Sequence, residues 1–510
     1  MRYAVAPVLA LALLLPPAGT GLAGDATGEP GAQVSTATGA PVAPTAPSDV
    51  RPRVAALQHP LGAVSAAPVP DPAALREQLD DELESEWLGP GNRRGLAVRD
   101  ALTGEELADI NSDRLMTPAS TTKLLAAAAI VVGLDAEERF TTRVVAGPEP
   151  GQVVLVAGGD MLLGDGAGDP EAVAGHAGIA DLAAQTAAAL RAGALTTAAE
   201  EEAAATGGPA DDAATTSGGP SEPGPVTVAL DLSHVAGPHT VPTWSDHWVQ
   251  EGWTGRIVQL GRASDRALPF NPSPQRPEQE VARVFREALE REGVEVVDAD
   301  EGDATAAEVQ TGPEAAELAS VESAAVRDVL ALALATSDNA MVEQLSRQAA
   351  VAVGESPEQE AVTAWITRTM VEHYGIDMTG MRVVDGSGLS DGTRLSMAAV
   401  ASVLVAGSDG SHPALQEVLA AGGLPIAGYT GTLGNGMRFH LPVHAEAVGN
   451  ARAKTGTLPG VTSLAGSVVT ADGRLLVFAV GADRIGENAA ALEAASMLDE
   501  IVAELARCGC

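Results

Sequence analysis

Three short strings hold the residue types that nucleophilic acyl chemistry requires: Ser120-Thr121-Thr122-Lys123, Ser337-Asp338-Asn339 and Lys454-Thr455-Gly456. Each is common alone; in this order, and together, they are specific. Their two lysines are the only ones in the chain, and arginine supplies the other 28 of 30 basic residues. A buried ammonium can lose its proton, whereas a guanidinium effectively cannot. Two lysines kept in so arginine-rich a chain point to a task that arginine cannot perform.

The placement of each string gives it a role. Thr117-Pro118-Ala119-Ser120 opens an apolar helix expected over Thr121–Val132. Ser120 then lies near unpaired backbone N–H groups and the positive end of the helix dipole. Its own N–H can help hold an oxyanion. Lys123 is one turn on, on the same face, and a neutral amine there takes the serine proton. Burial beside Ala and Leu, and repulsion from a second ammonium such as Lys454, both favour the neutral form. Ser337 and Asn339 set a hydroxyl and an amide two residues apart in a helix–helix connection, suited to relaying a proton to a leaving amine and binding a substrate amide. Lys454, Thr455, Gly456 and Thr457 form a candidate substrate-binding strand at a sheet edge. There Lys454 offers a cation to a carboxylate. Gly456 removes a side chain where a substrate backbone must lie. Thr457 adds a hydroxyl and an N–H.

The elements that must position these groups follow from pattern. Leu75, Leu79 and Leu83 mark a helix over Pro72–Trp87. Strands are expected at Gly95–Asp100, Glu106–Asn111 and Val226–Leu232, and helices at Arg276–Glu292, Ala324–Ala335 and Asn488–Cys508. A further helix has Ser356 as N-cap and runs to about His373. Ala453–Val469 reads as one strand, paired through an Ala471-Asp472-Gly473 turn with Leu475–Val480. With 510 residues and 45% apolar content the chain can bury a large core, built from Ala, Val and Leu because aromatics are only 3%. A formal charge of −38 makes nucleic acid and anionic lipid poor partners.

Residues 1–23 read as a secretory signal, with an uncleaved anchor as the lesser alternative. Residues 24–71 read as a disordered Pro/Ala-rich linker. An α+β domain is then expected in two parts, 72–139 and 314–510, interrupted by an inserted mixed α/β region at 140–313 that carries an acidic disordered loop at 195–225. Cys508 and Cys510 read as a frayed tail. The serine chemistry above needs no metal or organic cofactor, and no zinc-ligand spacing occurs among the nine histidines.

On these residues the sequence resembles the low-molecular-mass penicillin-binding proteins, and within them the D-alanyl-D-alanine carboxypeptidase/endopeptidase family with a large insertion between the Ser-x-x-Lys and Ser-x-Asn strings. Asp385-Gly386-Ser387-Gly388-Leu389-Ser390, Gly431-Thr432-Leu433 with Met437-Arg438, and Ala453–Leu458 carry the likeness further, over about 72–507. Gly158-Gly159-Asp160 and Trp244 fit the insertion, although Met161 stands where the family usually has Pro. The resemblance implies a penicillin-binding/β-lactamase-like transpeptidase fold, an antiparallel sheet flanked by helices. It also implies an exported enzyme that trims peptidoglycan stem peptides through a Ser120 acyl-enzyme, with β-lactams as covalent inhibitors. A β-lactamase-like hydrolase would need a base for deacylation, and no Glu-x-x-Leu-Asn string is present. A non-catalytic β-lactam or wall sensor is the alternative from another class.

Overall fold

The computed structural model describes residues 66–193, 224–298, 305–434 and 436–509. The signal segment, nearly all of the linker and nearly all of the acidic loop read from the sequence lie outside them.

The chain begins with α1 (Pro72–Leu83). Asp71 caps it by accepting from the N–H groups of Ala73 and Ala74, both at 3.0 Å, and Pro72 fits the first helical position. Its Leu75, Leu79 and Leu83 stripe is buried as the spacing predicts. β1 (Arg94–Asp100) and β2 (Glu106–Ile110) form a hairpin, and a 3₁₀ turn at Ala119–Thr122 leads into α2 (Lys123–Gly133). From Lys123 to Ile130 every residue of α2 is buried, so this helix is the hub of the main core.

A second group of elements follows: β3 (Arg139–Ala146), β4 (Gln152–Val156), α3 (Ile179–Arg191), β5 (Thr227–Asp231), the short α4 (Asp246–Gln250), α5 (Pro277–Arg291), β6 (Ala307–Glu308) and β7 (Glu317–Ala325). The five strands make a mixed sheet in the order β6-β5-β4-β3-β7, with β4, β5 and β6 parallel and the remaining pairs antiparallel. Central β4 is buried along its whole length, which explains its unbroken apolar run. β7 is not legible in the sequence. Its Glu317–Ala325 segment pairs with β3 in this second sheet, so the sheet ends at Ala325 and not at residue 313. The helix expected from Ala324 correspondingly starts at Val326.

The chain then returns through α6 (Val326–Thr336), α7 (Asn339–Ala352), α8 (Gln359–Glu372), α9 (Met397–Ala406) and α10 (Pro413–Val418), followed by β8 (Arg452–Leu458), β9 (Val461–Val469), β10 (Leu475–Asp483) and α11 (Ala489–Arg507). α8 starts after Glu358, while the Ser356 hydroxyl accepts from the Glu358 N–H one turn ahead of it. The expected single strand over Ala453–Val469 is a hairpin, turned at Pro459-Gly460, with Gly460 at φ 71°.

The first sheet is fully antiparallel in the order β2-β1-β10-β9-β8. Both of its faces are covered. Leu476 and Phe478 of β10 join the core under α1 and α11, whereas Val477 and Ala479 join the core under α2 and α9, as the two-residue period of a strand requires. β8, with the second lysine string, is left as an edge. Cys508 is buried in the α11 core and disulfide-bonded, so the tail is not frayed there; Cys510 lies outside the described residues.

Candidate active site

The three strings converge. Ser120 enters from the 3₁₀ turn before α2, Ser337 and Asn339 from the α6–α7 joint, and Lys454 from edge strand β8. Both lysines are fully buried.

Lys123 Nζ is the node. It donates to Ser120 Oγ at 3.1 Å, to Asn339 Oδ1 at 2.6 Å and to the Ser387 carbonyl at 2.7 Å. Burial lowers its pKa from the usual lysine range to about 8; the carboxylates of Asp385, Glu343 and Asp338 oppose that shift. The amine is thus reachable as a base near neutral pH. The repulsion expected between the lysines is felt at the other partner. Lys454 is pushed well below its usual value by burial first, then by Lys123 and Arg438.

Lys454 Nζ donates to Ser337 Oγ at 2.9 Å and to the Thr455 carbonyl at 2.8 Å. Ser337 is the C-cap of α6, its N–H donating to the Leu334 carbonyl at 3.2 Å. It occupies the left-handed region at φ 58°, which turns its hydroxyl away from the helix axis towards β8. That conformation costs about 1–2 kcal/mol for a residue with a Cβ and is held by its neighbours. Asp338 caps α7 through the Met341 N–H at 3.0 Å and pairs with Arg266 at 2.9 Å. Asn339 is oriented from behind, its Nδ2 donating to the Trp253 carbonyl at 3.0 Å, which leaves its Oδ1 for Lys123.

On β8 the side chains divide. The Thr455 hydroxyl is engaged with that of Thr432 at 2.9 Å, and Thr457 is exposed at the strand end. Gly456 faces the Ser120 turn. A Cβ there would stand 2.1 Å from Ser463 Oγ, 2.7 Å from the Pro118 carbonyl and 3.1 Å from the Ser120 nitrogen. Gly456 therefore lets the edge strand run against the backbone that presents Ser120.

The sequence left a supporting layer without roles. The Asp385–Ser390 string is a tight loop whose N–H groups point at two buried carboxylates. Asp385 accepts from Gly388 and Ser390 at 2.6 and 2.7 Å and from the Trp244 indole at 2.9 Å; Glu343 accepts from Ser387 at 2.7 Å. This loop aims the Ser387 carbonyl at Lys123. Gly388, at φ 76°, sits where a Cβ would be 2.0 Å from the Ala119 carbonyl. The Gly158-Gly159-Asp160 string is a close joint between the second sheet and α7, since a Cβ on Gly159 would meet Gln348 Oε1 at 2.0 Å. Met161 beside it packs in the main core. Among the described residues no cluster of three or more His, Cys, Asp or Glu could hold a metal ion.

The chain as a whole has known relatives. The model of the D-Ala-D-Ala carboxypeptidase 3 (S13) family matches residues 75–206 and 259–505. A carboxypeptidase of Mycobacterium tuberculosis is 32% identical over 419 residues, covering 81% of this chain and 80% of that protein. Carboxypeptidase DacB of Mycolicibacterium smegmatis is 31% identical over 452 residues, covering 87% and 86%. Among solved structures, penicillin-binding protein 4 of Haemophilus influenzae superposes with a TM-score of 0.60 at 16% identity, covering 85% of this chain and 98% of that one. The α+β architecture is the penicillin-binding/β-lactamase-like fold that the sequence implied.

Proposed function

The chain belongs to the D-Ala-D-Ala carboxypeptidase 3 (S13) family, and on that premise we propose that it is exported and removes the terminal D-alanine of peptidoglycan stem peptides through an acyl-enzyme on Ser120. One observation carries the reading: a single buried amine, held near neutrality, bridges the Ser120 hydroxyl and the Asn339 amide.

The steps follow from that geometry. Neutral Lys123 takes the Ser120 proton as Oγ attacks the penultimate carbonyl. The N–H groups of Ser120 and Thr457 face the developing oxyanion. The Asn339 amide steadies the substrate amide. The C–N bond breaks, and the leaving amine collects its proton through Ser337 and Lys454, the hydroxyl–ammonium pair at 2.9 Å. Once Lys123 has given up the Ser120 proton to refill that relay, water hydrolyses the ester, with neutral Lys123 taking the proton of the water and returning it to Ser120 Oγ as the ester C–O bond breaks. An arriving carboxylate favours the protonated form of Lys454, offsetting its burial, so substrate binding itself charges that residue. β-Lactams, as mimics of the acyl dipeptide, acylate Ser120 on this scheme.

Fluorescent-penicillin labelling together with product analysis on purified muropeptides tests it. Wild-type protein is expected to label and to release D-alanine, and Ser120→Ala to do neither while keeping its circular dichroism. Labelling retained in Ser120→Ala overturns the nucleophile. Cleaved cross-links among the products would add endopeptidase action.

A further inference from the structure

A second concave site lies against α7. It is a cavity of about 730 Å³, within the range of about 300–1,000 Å³ typical of small-molecule pockets, between α7, the 232–241 loop and the N-terminus of α5. Arg347 of α7 lines it and is only 4% exposed, yet among the described residues it has no ion-pair partner. Its guanidinium donates to the Pro238 carbonyl at 2.9 Å and to Gln344 Oε1 at 3.4 Å, both neutral. Gly237 lies against it so closely that a Cβ would meet the guanidinium carbon at 2.7 Å. Beside it, fully buried Gln344 leaves its Nε2 donor without a partner. A buried cation whose hydrogen-bond partners are all neutral, with the Glu343 and Glu358 carboxylates acting on it only from beyond ion-pair distance, and a buried donor without an acceptor are each costly. Here they line the same cavity. At the mouth stands exposed Arg276, also outside any ion pair among the described residues, next to the first turn of α5. Two carboxylates line the cavity: Glu278, engaged by His239 at 3.1 Å, and Glu308, which is exposed.

We propose that this cavity is a binding site for a small carboxylate-bearing molecule, an amino acid or the C-terminus of a short peptide, its carboxylate held by Arg347 and Gln344 and steered in by Arg276. The planar guanidinium and the adjacent amide supply the fork of donors a carboxylate requires, and the α5 N-terminus adds to the positive field. The site stands on the same helix as Asn339, eight residues on, about 12 Å along the axis. It does not depend on the catalytic reading.

Isothermal titration of the full chain with D-alanine, D-alanyl-D-alanine and the neutral D-alaninamide tests it. One acid is expected to bind saturably at one site per chain that persists in Lys454→Ala, in which the catalytic cleft is disabled, and the amide not to bind that site. The tighter of the two acids identifies the source, free amino acid or peptide terminus. Arg276→Ala, a surface change that leaves the fold intact, is expected to weaken binding by about tenfold, the worth of one charge-assisted hydrogen bond. Arg347→Met is expected to abolish it. Lys454→Ala, which disables the catalytic cleft, is expected to leave it unchanged. Saturable binding by none of the probes, equal binding of acid and amide, or loss in Lys454→Ala with retention in Arg347→Met overturns the proposal.

Discussion

Lys454 Nζ lies 2.9 Å from Ser337 Oγ, across 117 residues of sequence. The contact joins an edge strand of one sheet to the joint between two helices. Ser337 reaches it only because its backbone is left-handed, at φ 58°. Backbone strain of this kind persists where surrounding structure over-determines it. Here the Asp338 cap, the Arg266 ion pair and the Asn339 amide supply that constraint on the two following residues.

Ser337→Ala keeps the Cβ and the turn but removes the hydroxyl between Lys454 and the leaving amine. Loss of one positioned proton-transfer group costs about 10²–10⁴-fold in rate. We expect D-alanine release to fall by that order while the thermal midpoint stays within a few degrees. A midpoint collapse with proportional loss of activity would assign Ser337 a structural role only.

On the proposed mechanism Lys123 sets the pH dependence. Its pKa is lowered to about 8, so the amine is protonated below that value and free above it. Acylation needs the free amine, hence the rate of penicillin labelling is expected to rise with pH through about 8. Lys123→Arg keeps the positive charge but cannot shed it, and is expected to be inactive across the range. A labelling rate that is flat from pH 6 to 9, or an active Arg variant, removes Lys123 as the base.

The polar side chains of the site were legible in the sequence, and the backbone groups that aim them were not. Ser120, Lys123, Ser337, Asn339 and Lys454 are identified by type and spacing, and the rarity of lysine singles out two of them. The Ser387 and Trp253 carbonyls, which hold Lys123 and orient Asn339, leave no trace in residue identity, because every residue has one. Glu343 gives no signal either, because an acidic residue inside a helix usually faces solvent. The fold shows the same division. α1 declares itself through its leucine stripe and β10 through an apolar run between turn residues. β7 is written mostly in Ala, Ser and Glu, weak strand formers, with only Leu318 and Val321 to signal a strand, and exists because β3 offers it a ladder far away in sequence. The hairpin turn at Pro459-Gly460 carries its own turn signal, which the reading of Ala453–Val469 as one strand passes over.

Gly456 sets the spacing between β8 and the Ser120 turn. Gly456→Ala drives a Cβ to 2.1 Å from Ser463 Oγ and 2.7 Å from the Pro118 carbonyl. The serine side chain can rotate away, but the carbonyl cannot, so the 118–120 turn must move. Overpacking of this kind costs about 1–3 kcal/mol in stability. A displacement of about 1 Å at a nucleophile costs on the order of 10²-fold in rate. Gly456→Ala is therefore expected to be folded and nearly unlabelled by penicillin. Ser463→Ala added to it is expected to recover stability more than activity, since the Pro118 clash remains; full recovery of labelling would show that the serine hydroxyl was the whole obstruction.

Glu343 acts on Lys123 from behind the Ser387 loop. Its carboxylate accepts from the Ser387 N–H at 2.7 Å, and burial with the neighbouring Asp385 raises its pKa to about 7. Above that pH it is charged, and its charge favours the protonated form of Lys123. Glu343→Gln preserves an acceptor for the Ser387 N–H and removes the charge. The sign follows: with less negative charge nearby, Lys123 loses its proton more readily. The rising limb of the pH–rate profile is then expected to shift to lower pH than in the wild type, with the difference largest above pH 7. A stopped-flow series of β-lactam acylation from pH 5.5 to 9.5 reads this directly. A purely structural role would lower the rate at every pH without moving the limb, and a shift to higher pH would reverse the assignment of Glu343 as the group that holds the base protonated.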